Sequence, residues 1–104
     1  MLHDPKNDYD DLGKGLLKAA DYMAEHGHCK GFLQDKKGAV CLMGAVIYSY
    51  GSLDYMSYLN ALTEHTGKYI NTLVLWNNAP ETTGEDVIKL FREAAEDHKL
   101  VKVK

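Results

Sequence analysis

Apolar residues recur at spacings of three and four near the start of the chain. Tyr9, Leu12, Leu16, Ala19, Ala20 and Met23 fall on one stripe that closes at Gly27, which predicts an amphipathic helix. Asp8, Asp10 or Asp11 can supply its N-cap. Gly13 and Gly15 each cost roughly 1 kcal/mol relative to alanine inside a helix, which places the expected start after them. The last helix is marked by Pro80, by Thr83 with Asp86 three residues on, and by Val87, Leu90, Phe91, Ala94 and His98 on one face. Between these, "CLMGAVIYSY" is apolar almost all round and reads as a buried helix, with Gly44 admitting a neighbouring backbone. Gly51 or Ser52 starts a helix carrying Tyr55, Tyr58, Leu59 and Leu62, which ends near His65-Thr66-Gly67. In "YINTLVLWNN", Ile70, Leu73, Val74 and Trp76 fit a helical face, although the β-branched content also suits a strand; helix is the preferred reading.

"GFLQDKKGAV" carries apolar residues on both sides of Asp35-Lys36-Lys37-Gly38, with Asp first and Gly last as a type I turn favours. The expected fold class is therefore α+β, mostly α: four or five helices with one small β-hairpin between the first two. In such a hairpin Leu33 lies opposite Cys41, and Cys29 is roughly 13 Å further down at about 3.3 Å per residue. That exceeds the roughly 7 Å limit on the Cα separation of a disulfide. A break at Gly31 would undo the separation. One domain spanning residues 1–104 is expected, with 1–8 and 99–104 as flexible tails.

Composition narrows the function classes. The chain has 104 residues, 45% hydrophobic and 26% charged, the balance of an ordinary folded domain. With a net charge of -3 and no clustered Lys/Arg stripe, nucleic-acid binding is disfavoured. No apolar run approaches the roughly 18 residues of a membrane span, and "MLHDPKNDYDD" is acidic where a signal peptide is basic and then apolar. A cytoplasmic protein with no membrane or nucleic-acid partner is expected. In a reducing compartment its two cysteines are free thiols or ligands rather than a structural disulfide.

Three groups of residues can carry chemistry. His26, His28, Cys29 and Cys41 are of metal-ligating type, but their spacing does not pair them as zinc knuckles, so no metal or other cofactor is expected. Cys41 begins a helix, where orphan N–H groups can favour a thiolate; His65 or His28 with Asn77 or Asn78 are the available base and orienting groups. The preferred reading of Cys41 is a small buried hydrophobe, with no catalytic residue. Trp76, Asn77 and Asn78 can form a ligand-binding corner; the plainer reading has Trp76 in the core, an Asn capping or turning the chain, and Pro80 setting the next helix. Tyr48, Tyr50, Tyr55 and Tyr58 flank one Gly-Ser turn, and amphipathic rings of this kind are enriched at interfaces.

The pattern Cys29-x-Gly31, Gly38-x-x-Cys41-x-x-Gly44-Ala45 and Trp76-Asn77-Asn78-x-Pro80-x-Thr82 resembles an uncharacterised family of small proteins from actinobacteria and their phages. The resemblance spans roughly residues 12 to 97. His28 stands where that pattern has Trp, and Asn78 where it has Asp. The family has no established activity, so the resemblance implies only a setting: a bacterial cell or phage-infected host. The function expected is non-enzymatic, through a protein partner that the resemblance suggests is a host protein; self-association is a further option. The alternative is a small-molecule-binding or thiol-dependent enzyme domain centred on Cys41 and the Trp76-Asn77-Asn78 corner.

Overall fold

The first helix, α1 (Asp11–His26), begins before both glycines in the computed structural model, which describes residues 5–49 and 53–100. Asp10 caps it by accepting the Gly13 N–H at 2.9 Å. The expected start after Gly15 is corrected by close packing. A Cβ on Gly15 would fall inside the contact distance of the Tyr58 ring, and one on Gly13 would lie 2.8 Å from the Tyr9 Cβ. The glycines cost helix propensity and give in return two places where aromatic side chains lie directly on the helix backbone.

α1 packs most extensively on α5 (Gly84–Glu96). Leu16, Ala20 and Met23 of α1 and Val87, Phe91 and Ala95 of α5 lose essentially all solvent contact in the same core. The expected cap of α5 is present in both halves: Thr83 Oγ1 accepts the Asp86 N–H at 3.2 Å, and Asp86 Oδ2 accepts the Thr83 N–H at 2.9 Å. The Thr83 N–H, with the Thr83 hydroxyl beside it, holds the Asp86 carboxyl below its ordinary pKa.

α2 (Leu42–Tyr48), α3 (Tyr55–Thr66) and α4 (Ile70–Asn78) complete the core. α3 starts from an Asp54 cap and stops at Gly67, whose φ of 69° is left-handed; the expected start at Gly51 or Ser52 lies outside the described residues. The 70–78 segment is a helix, as preferred, because Leu73 and Asn77 lie one turn apart and are both buried. The ends of the domain meet: Tyr9 bridges Lys99, Asp10 N–H bonds His98 O at 2.9 Å, and Tyr9 Oη donates to Glu96 at 2.7 Å.

The α+β class with a β-hairpin is overturned. Every named element is helical, and among the described residues the 27–41 loop makes only isolated bridges. The reason is the shortage of extended chain. Gly31 turns the backbone at φ 83°, the Asp35–Gly38 turn ends just before Ala39, and Cys41 is already the cap of α2, which leaves too few residues for a ladder.

Gly15→Ala should lower the unfolding free energy by about 1–2 kcal/mol, because overpacking against Tyr58 outweighs the roughly 1 kcal/mol gain in helix propensity. Urea unfolding measures it. A stabilised variant would show that the Tyr58 ring can move aside.

Candidate functional site

The loop from Gly27 to Cys41 is organised around Val40. Val40 N–H bonds Gly27 O at 2.9 Å and Cys29 N–H bonds Val40 O at 2.9 Å, a parallel pairing of His28 with Val40. From its other edge the chain returns antiparallel: Gln34 bridges Val40, and Cys41 N–H bonds Leu33 O at 3.3 Å. Asp35 closes the turn between, its Oδ1 accepting the N–H groups of Lys37 at 2.9 Å and Ala39 at 3.0 Å.

Side chains alternate along extended chain, and directly paired residues share a face. His28 therefore lies with Val40, and Cys29 lies on the opposite face with Ala39 and Cys41. Burial agrees: Val40 belongs to the main core, whereas Cys29, Ala39 and Cys41 form a small apolar cluster of their own, with Met43 against it. A Cβ on Gly27 would lie 3.4 Å from that of Ala39, in the same register. The expected separation of the two cysteines is thus corrected, and the break at Gly31 is what removes it. Both are free thiols. Cys29 Sγ donates to Phe32 O at 3.2 Å, and Cys41 Sγ accepts the Gly44 N–H at 3.4 Å as the cap of α2. Burial, then the neighbouring Cys41, pushes the Cys29 thiol above its ordinary pKa.

Asn77 fastens this loop to the helices. Its side chain is 1% exposed. Oδ1 accepts the Leu42 N–H at 3.0 Å and meets His28 Nε2 at 2.8 Å; Nδ2 donates to Cys29 O at 3.3 Å and to Asn78 Oδ1 at 3.0 Å. These are all the hydrogen bonds a primary amide offers. Because the Leu42 N–H can only donate, it fixes the amide orientation and makes Nε2 the protonated nitrogen of His28. Asn78 Oδ1 also accepts the Gly31 N–H at 3.0 Å, and Lys30 Nζ donates to the carbonyls of Ala79 and Pro80 beyond α4. Residues 28 to 31 are each tied to residues 77 to 80.

The candidate residues separate accordingly. Cys41 and Asn77 are neighbours through Leu42, but His65 is elsewhere: its Nδ1 meets Asp97 Oδ2 at 2.6 Å, at the C-terminal end of α5. His28 packs on Gly84 at the N-terminal end of the same 13-residue helix, about 20 Å away at 1.5 Å per residue. His28 reaches Asn77 but lies on the face opposite both thiols. Trp76 lines a separate groove of about 480 Å³ between α4 and α5, with Leu73 and Leu90. Of the tyrosines, Tyr58 is buried and accepts the Leu53 N–H at 2.8 Å, Tyr48 packs half-buried on the core, Tyr55 is exposed, and Tyr50 lies outside the described residues.

Phe32 and Leu33 escaped notice as site residues, yet they are 69% and 42% exposed. Their adjacency was a signal, since two consecutive large apolar residues cannot both face inward along extended chain. Among the described residues, no group of three or more His, Cys, Asp or Glu is placed to hold a metal ion, and no helix is long and apolar enough to cross a membrane.

The model of a family of unknown function, DUF6197, matches residues 11–97. The chain belongs to this family. The matched span runs from the first residue of α1 to Asp97, the residue after α5, so the thiol cluster, the Asn77 bonds and the exposed loop all lie inside the family domain. No curated protein and no solved structure matches the chain.

Asn77→Ala leaves the Leu42 N–H and Cys29 O buried without partners and should cost about 2–4 kcal/mol. Asn78→Ala, at an exposed position, should cost less than about 1 kcal/mol. Equal losses in denaturant titrations would remove Asn77 from its central place.

Proposed function

We propose that the protein is a non-enzymatic binding module whose contact surface is the 31–37 loop, with another protein as its partner. The observation that supports this reading is Phe32, a large apolar side chain 69% exposed and held outward on fixed backbone. Its carbonyl accepts the Cys29 thiol, Gly31 N–H is held by Asn78, and Leu33 O is held by Cys41 N–H while it lies directly on Gly44. A preorganised apolar loop loses little conformational freedom on binding, and clustered exposed apolar surface is characteristic of interaction sites.

The loop also suggests the partner's chemistry. Phe32 lines a shallow cleft of about 560 Å³ with Gln34, Asp35, Lys36 and Lys37. An apolar cleft edged by two exposed lysines suits a protein surface that offers an apolar side chain beside carboxylates. Leu53, Tyr55 and Met56 at the start of α3 are exposed as well. The resemblance to actinobacterial and phage proteins adds a host protein as the partner and the cytoplasm as the setting. The thiol-dependent alternative has less support, since neither histidine considered for it shares a face with Cys41.

Phe32→Ser should weaken capture of a partner from host extract at least tenfold while the thermal midpoint stays unchanged, since interface aromatics carry a disproportionate share of binding energy. Lys36→Glu with Lys37→Glu should weaken the same capture and its salt dependence. Tyr69→Ser, at the exposed aromatic that precedes α4, should leave it intact. Capture that survives Phe32→Ser would refute the loop as the contact surface.

A further inference from the structure

We propose that Cys29 and Cys41 form a reversible dithiol–disulfide site that is closed by exchange with a small-molecule disulfide. The inference goes beyond the binding reading and does not depend on it. It rests on the register of the loop. With His28 paired in parallel to Val40, Cys29 stands beside Cys41 one residue further along both segments. Paired extended segments lie about 4.8 Å apart, and disulfides span Cα separations of roughly 4.4 to 6.8 Å. Both side chains lie on one face, and the buried residue that shares their cluster is the small Ala39. Both sulfurs are reduced, and each is engaged by weak bonds that rotation about χ1 can release.

The chemistry needs no other group. A thiolate from one cysteine attacks a sulfur of the reagent R–S–S–R, forms a mixed disulfide and expels R–S⁻, which takes up a proton. The second cysteine, as thiolate, attacks the protein sulfur of that mixed disulfide and expels the second R–S⁻. Two protein thiols become one protein disulfide, and the reagent leaves as two thiols carrying the two electrons and two protons. The approach is from the loop, since Cys29 Sγ is bonded to the carbonyl of exposed Phe32. Closure removes the donor from Phe32 O and the acceptor from the Gly44 N–H, so the backbone at residue 32 and the first turn of α2 are where it is felt.

The test treats the folded, reduced protein with oxidised glutathione. The expected product is a monomer lighter by two hydrogens, with a peptide crosslinked between residues 29 and 41, no alkylation after denaturation, and full reversal by dithiothreitol. Cys29→Ser and Cys41→Ser should each stop at one glutathione adduct, the species that the wild-type protein resolves. Two stable adducts per wild-type chain, crosslinked dimers, or thiols that stay reduced until denaturant is added would each overturn the proposal.

Discussion

A primary amide buried in a protein has two donors and two acceptor positions to satisfy, and leaving them unmet costs more than making the bonds returns. Asn77 meets that constraint with groups from three places at once: the first N–H of α2, the imidazole and carbonyl of the segment leaving α1, and its own neighbour Asn78. The amide cannot be satisfied unless α4, the 28–31 segment and the start of α2 are all in position. That makes the loop geometry a consequence of one side chain, supported by Lys30 on the carbonyls after α4 and by Gly31 on Asn78.

What the loop presents follows from that placement. Once His28 is drawn to Asn77, the alternation of side chains sends Cys29 to the other face, beside Cys41 and away from any imidazole. The same segment then turns at Gly31, and Phe32 and Leu33 emerge into solvent before Gln34 rejoins Val40. Thiol proximity and apolar exposure are therefore two results of one chain path, which is why a surface-binding role and a thiol pair can coexist on a loop of this length.

Much of this was legible in the residues. The caps of α1 and α5, the stop at Gly67 and the buried α2 follow from local rules, since each depends on a few neighbouring side chains. The hairpin was misread because its turn at Asp35–Gly38 is present, while the pairing on the far side runs parallel through a residue twelve positions away. Nothing local encodes that partner. Gly15 misled in the opposite direction: its propensity is poor, but the Tyr58 ring that requires it lies on another helix. For Asn77 the motif flagged the position, and the four bonds that define its role come from contacts that composition and spacing do not display.

The Leu42 N–H gives the most direct test, because the first amides of a helix have no partner within the helix, and Asn77 supplies the bond that protects this one. Native-state hydrogen exchange should show Leu42 opening only with global unfolding, with a protection free energy equal to that of Phe91 in the core of α5. Exchange of Leu42 several orders of magnitude faster than Phe91 would mean that the loop opens independently of the helices, and that Asn77 does not hold it.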